Sequence, residues 1–129
     1  MKTMIMTACL VAFGLLFSAP ATADTVLHIW SCQLNECKTR ADILEVSKAW
    51  TDAAKTIDGG ADIDVSLEFP YAANVPDGSF NFILSIPSTR TWGIWEENYP
   101  GSAAAEIDAA WSEVATCSNS SLWSSVPIV

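Results

Sequence analysis

The first 23 residues of the chain have the pattern of a secretory signal peptide, which decides the compartment in which the remainder folds. Lys2 is the only charged residue in this segment, and an apolar run from about Met4 to Phe17 follows it. Ala21-Thr22-Ala23 then places small residues at the two positions that a signal peptidase reads. We therefore predict cleavage before Asp24 and a periplasmic or secreted protein, in a compartment where disulfides persist.

A membrane span is the alternative interpretation of this apolar run. The run is shorter than the roughly 20 residues that a helix needs to cross a bilayer, and no second run of that length follows. We therefore expect no membrane association after cleavage. Residues 24–129 have the length of one ordinary domain, and half of the full chain is hydrophobic, so this domain can form a core without a metal ion.

The mature chain is strongly acidic. Loss of Lys2 from the six basic residues leaves five against fifteen acidic residues, so the formal net charge is −10. Such a charge repels phosphate backbones and anionic headgroups. The composition therefore argues against binding to nucleic acid or to a membrane surface.

The first half of the mature chain predicts one strand and one helix. Residues Thr25–Gln33 are rich in β-branched and aromatic residues, and both faces of this predicted strand are fairly apolar. Thr39 and Asp42 then have the spacing of a capping box at the start of an amphipathic helix of about 18 residues. Gly59-Gly60 is expected to end that helix.

A hairpin and a broken helix follow. Residues Asp62–Phe69 and Ser79–Ile86 both alternate between apolar and polar side chains, with a turn at Pro76-Asp77-Gly78 between them. Ser88 and Thr89 can cap a second helix, which Pro100-Gly101 interrupts. A short strand over about residues 121–126 then completes the order β-α-β-β-α-β.

This order resembles the ferredoxin-like α+β topology, an antiparallel sheet with the helices on one face. With its second helix broken near Pro100, the chain resembles the dimeric α+β barrel superfamily, which includes antibiotic-biosynthesis-type monooxygenases and haem-degrading enzymes. The segments from Trp30-Ser31-Cys32 to Lys38-Thr39 and from Ala115 to Ser118 also look like small exported bacterial members without assigned activity. The resemblance implies a homodimer formed through the open sheet face.

The haem-degrading branch is a poor match. Its iron ligand is a histidine on the later helix, whereas the only histidine of this chain is His28, on the first predicted strand. We therefore expect no haem and no other cofactor.

The resemblance also suggests a pairing for the three mature cysteines. In such a fold the first strand is central and antiparallel to the fourth, so the topology brings Cys32 close to Cys117. A Cys32 to Cys37 bridge is the alternative, and the fate of Cys37 stays open. The Cys-x4-Cys spacing is not that of a redox motif, and the paired short spacings of a zinc site are absent, so we predict no metal site.

His28 is the candidate catalytic residue. If Leu27 and Ile29 pack under the helices, His28 and Trp30 point to the opposite, open face of the sheet. That face is also expected to carry polar side chains, namely those of Asp64, Glu68, Asn81 and Ser85. There His28 would act as an acid or base in a small-ligand site, or else be a structural histidine paired with a carboxylate at a dimer interface.

Six tryptophans follow the signal segment, an excess that suggests an apolar or aromatic ligand. Trp50 and Trp111 are predicted to lie in the core, on the inner faces of their helices. Trp92 and Trp95 are the better candidates for lining a pocket. The predicted ligand-binding residues are Trp30, Glu68, Asn81, Trp92 and Trp95.

Two functions remain open at this level. The first is a dimeric small-ligand-binding or structural module without catalysis. The alternative is a cofactor-independent monooxygenase or isomerase that uses His28 together with Trp30 and Asn81. An enclosed cavity lined by His28, Trp30 and Trp92 would favour a ligand site over a flat interface.

Overall fold

The computed structural model describes residues 24–128, so the predicted signal peptide lies outside the described part of the chain. The element order is β1 (Thr25–Leu34), α1 (Arg40–Ala54), β2 (Asp64–Glu68), β3 (Ser79–Ile86), α2 (Thr89–Asn98), α3 (Ala103–Val114) and β4 (Ala115–Ser125). Both the predicted order and the break in the second helix are confirmed. No helix within residues 24–128 is long and apolar enough to cross a membrane.

The four strands form one antiparallel sheet in the order β2-β3-β1-β4. This is the order of the ferredoxin-like fold, and the α+β fold class predicted from the sequence is confirmed. The helices cover one side of the sheet, here called the helix face, and leave the other side, the open face, uncovered. Strand β1 is central, as predicted, because it pairs with β3 on one side and with β4 on the other.

Helix α1 begins as predicted and ends earlier than predicted. Thr39 is the N-cap, and its capping box with Asp42 is complete, which lowers the pKa of the Asp42 carboxyl through hydrogen bonds from Thr39. The last helical residue is Ala54, and turns lead from there to Gly60. A Cβ atom at Gly60 would lie 2.1 Å from the carbonyl oxygen of Ala54, so this close approach requires glycine.

Strand β4 is longer than the predicted residues 121–126, since it begins at Ala115 directly after α3. Its small polar residues have no strand pattern of their own, and pairing with β1 determines their conformation. Asn35 secures the junction: its backbone N–H donates to the Val114 carbonyl, its side-chain amide donates to the Ser112 carbonyl, and its Oδ1 accepts from Thr116. Cys117 therefore lies within the strand and not before it.

The prediction that Leu27 and Ile29 pack under the helices was wrong. Antiparallel partners share a face, and β1 places His28 opposite Leu84 and Trp30 opposite Phe82, both of which are core residues on the helix face. His28 and Trp30 therefore lie under the helices. The error arose because both faces of β1 are apolar, so that its own pattern does not identify the buried side.

The Cys32–Cys117 disulfide is confirmed. The two residues are register partners on β1 and β4 and close a loop with a sequence separation of 85. Cys37 is exposed and free. The bridge lies on the helix face, since Cys32 belongs to the core cluster and Cys117 packs against it.

Candidate functional site: an aromatic cavity under the helices

A cavity of about 350 Å³ lies between the helix face of the sheet and the three helices. Its walls are mainly aromatic, with a few polar groups among them. We call it the aromatic cavity, and its lining residues are His28, Trp30, Trp50, Phe82, Trp95, Glu96, Tyr99, Asp108, Trp111 and Cys117. Concave, mainly apolar surfaces with a few convergent polar groups are the usual form of small-molecule sites.

His28 forms part of one wall. Its imidazole stacks on Trp30, with ring centroids 3.6 Å apart and the planes inclined by 24°. Nδ1 lies 3.9 Å from Oε1 of Glu96, which is too far for a hydrogen bond, and it is buried without a hydrogen-bond partner among the described residues. Burial lowers the pKa of His28 below its usual value of 6.5, so the imidazole is neutral at pH 7.

A second polar group joins Trp50 on α1, Tyr99 at the end of α2 and Asp108 on α3. Oδ1 of Asp108 accepts hydrogen bonds from the Tyr99 hydroxyl at 2.6 Å and from the Trp50 indole N–H at 3.1 Å. The Trp50 N–H is also 3.1 Å from the Tyr99 hydroxyl oxygen, so the three side chains form one network. Burial and the bond to Asp108 raise the pKa of Tyr99, which therefore remains a neutral hydroxyl at physiological pH.

Interhelical hydrogen bonds hold the tryptophan rings of the cavity in place. Trp111 on α3 donates to the buried Ser47 hydroxyl on α1 at 3.1 Å, and Trp95 on α2 donates to the Ala54 carbonyl at 3.4 Å. Trp50 also meets the Phe82 and Trp95 rings edge-on. The cavity lies where these rings meet, between the sheet and the helices.

The predicted ligand-binding residues do not form one site. Trp30 and Trp95 line the aromatic cavity together with His28, whereas Trp92 packs against the core without lining it. Glu68 and Asn81 are neighbours on the open face, on the other side of the sheet from His28. The assignment of His28, Glu68 and Asn81 to one sheet face was therefore wrong, and the misassigned face of β1 is the reason.

Glu68 and Asn81 line a different, larger depression of about 570 Å³ at the end of the open face. The loop that joins β2 to β3 forms its rim, and Ser31 donates a long hydrogen bond of 3.4 Å to Oδ1 of Asn81 at its base. This depression offers no titratable group besides Glu68.

Sequence reasoning missed Glu96, Tyr99 and Asp108 as site residues. Glu96 on α2 and Tyr99, the C-cap of α2, are three residues apart, and so are Asp108 and Trp111 on α3. Each pair therefore lies on one side of its helix. That spacing was the available signal. Trp50 and Trp111 were predicted to be core residues, and both pack in the core while also facing the cavity.

Within residues 24–128, no three His, Cys, Asp or Glu side chains lie close enough together to hold a metal ion. The cavity residues that can bind or move a proton are those of the two polar groups. His28 with Glu96 is one group, and Tyr99 with Asp108 is the other.

No protein-family model and no curated protein sequence matches this chain. Solved structures do match it by fold. One is SnoaB, a cofactor-independent oxygenase from Streptomyces nogalater, with a TM-score of 0.56 and 13% sequence identity over 83% of this chain and 98% of that one. Another is a protein of unknown function and possible oxidoreductase from Bacteroides thetaiotaomicron, with a TM-score of 0.52 and 14% identity over 81% of this chain and 99% of that one. These similarities establish a shared fold.

Proposed function

We propose that this protein is an exported, dimeric small-ligand-binding module whose ligand occupies the aromatic cavity. The observation that supports the proposal is the composition of the cavity wall, in which six aromatic side chains surround two separate polar groups. Aromatic walls bind planar or compact apolar bodies, and the polar groups orient them. The volume of about 350 Å³ suits a molecule with one or two rings.

The second candidate function is a cofactor-independent oxygenase or isomerase with His28 as its base. The position of His28 in the cavity favours it, since a partly buried neutral imidazole can take a proton from a bound substrate. For an isomerase, the same proton returns at another carbon atom. For an oxygenase, the deprotonated substrate reacts with dioxygen, one oxygen atom enters the substrate, and the other leaves as water with two substrate hydrogens. The fold similarity to a cofactor-independent oxygenase supports this candidate.

The proposed homodimer forms through the open face. Leu27, Ile29 and Ile83 lie side by side at its centre, and Trp123 on β4 is more than half exposed beside them. A monomer rarely leaves such an apolar patch uncovered. A second copy of the sheet, packed face to face, would bury the patch. The resemblance to dimeric α+β barrels supports this arrangement.

Export is part of the proposal as well. The predicted signal peptide supports it, and so does the Cys32–Cys117 disulfide, since disulfides persist in the periplasm and outside the cell.

Ligand binding is tested by calorimetric titration of the mature protein with a neutral two-ring probe, 2-naphthol. Replacement of Trp111, which is partly exposed in the cavity, by leucine is expected to weaken binding by about tenfold, as expected for the loss of about 1.4 kcal/mol of ring contact. The matched control is Trp123→Leu on the open face, which is expected to leave binding unchanged. Equal losses in both variants would contradict binding in the aromatic cavity.

The oxygenase candidate is tested separately, by oxygen uptake in the presence of hydroxylated naphthalenes. His28→Gln is expected to abolish uptake while 2-naphthol still binds. If the unmodified protein binds 2-naphthol but takes up no oxygen, the oxygenase function is wrong for these substrates, and the ligand-binding function is retained.

A further inference from the structure

The charged side chains that line the aromatic cavity have one sign only. Glu96 reaches it from α2 and Asp108 from α3, and no lysine or arginine of residues 24–128 is among the lining residues. The mature chain around the cavity is itself acidic, with a formal charge of −10 after loss of the signal peptide. Such a cavity repels an anionic ligand and attracts a cationic one.

The Asp108 carboxylate is held in a defined position. Its Oδ1 accepts the two hydrogen bonds from Tyr99 and Trp50, which come from two other helices. Neither bond uses Oδ2, the second oxygen of the Asp108 carboxylate. A carboxylate that is fixed in this way meets a ligand ammonium without first losing side-chain freedom.

The aromatic rings of the cavity also attract a cation. Trp30, Tyr99 and Trp111 are only partly buried, so their rings are accessible from the cavity. The face of an aromatic ring carries partial negative charge and attracts an ammonium group, most strongly when water is displaced. Carboxylates and ring faces together are the composition that recognises organic cations.

The imidazole of His28 does not oppose the binding of a cation in the cavity. His28 is neutral at pH 7 because burial disfavours its charged form, so it places no positive charge beside a bound ammonium. Oε1 of Glu96 lies 3.9 Å from Nδ1 of His28, so this carboxylate makes no short ion pair with the imidazole.

We propose that the ligand of the aromatic cavity is an organic cation, a protonated or quaternary amine on an apolar, preferably aromatic, body. The ammonium group faces the carboxylates of Glu96 and Asp108, and the body lies against the rings. This inference rests on the proposed function, because it names the class of ligand for the same cavity.

The test compares three ligands of similar shape at pH 7.5, namely 2-phenylethylammonium, neutral 2-phenylethanol and anionic phenylacetate, by calorimetric titration of the mature protein. The ammonium ligand is expected to bind about tenfold more tightly than the alcohol, and phenylacetate more weakly than the alcohol. Added sodium chloride should weaken binding of the ammonium ligand and leave the alcohol unaffected.

The variants Glu96→Gln and Asp108→Asn identify the carboxylates that are responsible. Asparagine keeps an acceptor for Tyr99 and Trp50, so the network stays intact while its charge is removed. Each variant should lower the affinity for the ammonium ligand about fivefold and change that for the alcohol by less than about twofold. Glu97→Gln is the matched control, because Glu97 is the exposed neighbour of Glu96 and does not line the cavity.

The outcomes separate the two proposals. If the alcohol binds and the ammonium ligand binds no more tightly, or if phenylacetate binds most tightly, the cation inference is wrong and the ligand cavity stands. If Glu97→Gln lowers the ammonium affinity as much as Glu96→Gln does, the selection comes from net charge and the inference is also wrong. If none of the three ligands binds and 2-naphthol does not bind either, the proposed function itself fails.

Discussion

The two faces of the sheet differ sharply, although their side chains alternate along the same strands. On β3, Leu84 is fully buried under the helices, whereas its neighbour Ile83 is only partly buried on the open face. The helix face carries the core, the disulfide and the aromatic cavity. The open face is apolar at its centre and polar towards β2. One sheet thus presents a face covered by helices and an uncovered face, and the two faces are expected to respond differently to substitution.

A second difference exists within the helix face. Under β3, Leu84 and Ile86 are fully buried, and neither lines the aromatic cavity. Under β1, His28 and Trp30 are only partly buried and border the cavity. The closely buried part of this face is aliphatic, whereas the cavity lies among aromatic rings on β1, on β3 and on the helices.

The largest expected effect concerns the disulfide on the helix face. Replacing both Cys32 and Cys117 by alanine opens a loop with a sequence separation of 85, and should lower the free energy of unfolding by about 4 kcal/mol in the chain-entropy model. Urea denaturation measures this loss. Cys37→Ala is the control and should change little, because Cys37 is exposed and free. Non-reducing peptide mapping should recover Cys32 linked to Cys117, and a link from Cys37 to Cys117 would contradict the pairing of β1 with β4.

The next effect contrasts neighbouring residues on the two faces. Leu84→Ala should lower the free energy of unfolding by about 3 kcal/mol, because it opens a cavity in the closely packed core. Ile83→Ala removes a similar side chain from the open face and should lower it by less than about 1 kcal/mol when the protein is dilute enough to be monomeric. Equal losses would show that the open face is covered within a single chain.

Assembly is the next test of the open face. The mature protein is expected to sediment as a dimer at micromolar concentration, and Ile83→Asp should weaken the dimer about a hundredfold, equivalent to about 2.7 kcal/mol. Leu44→Asp is the matched control, since Leu44 is an exposed apolar residue on α1 and receives the same charge. A monomer at this concentration would rule out the dimeric barrel.

A small effect on stability is expected for replacement of His28. An interface histidine bonded to Glu68 or Asp64 would cost 1 to 3 kcal/mol on replacement, but those carboxylates lie on the other face, and Nδ1 has no partner among the described residues. His28→Gln should therefore cost only about 1 kcal/mol, through the lost stacking on Trp30. Thermal melts of the unmodified protein and of His28→Gln measure this loss of stability. A loss near 3 kcal/mol would mean that His28 has a buried partner.

The pH dependence of these melts gives a separate measure of His28. Its pKa in the folded protein lies below the value of 6.5 expected for the unfolded chain, so the unfolded chain takes up the proton first as the pH falls. The stability of the unmodified protein should therefore fall, relative to that of His28→Gln, as the pH decreases from about 6.5 towards the folded-state pKa. The opposite trend would indicate that protonated His28 gains an ion pair with Glu96.

Most of the fold was predictable because the signals that specify it are local. The capping box at Thr39, the alternation of residues 79–86 and the break at Pro100-Gly101 each act over a few residues, and the structure contains all three elements. The disulfide pairing followed from the resemblance to the ferredoxin-like topology, which implies that β1 lies beside β4, as it does in the structure. The start of β4 was missed because its polar residues become a strand only by pairing with β1.

By itself, the sequence determined the order of the elements, through short-range patterns that tertiary packing did not override. The strand order of the sheet and the Cys32–Cys117 pairing followed from the resemblance of that element order to the ferredoxin-like topology. Only the tertiary structure decided which face of β1 the helices cover, because both faces are apolar and the choice depends on register with β3. The same decision moved His28 away from Glu68 and Asn81. It brought His28 together with Glu96 and the Tyr99–Asp108 pair, because the neighbours of a side chain under the helices depend on where α2 and α3 lie on the sheet.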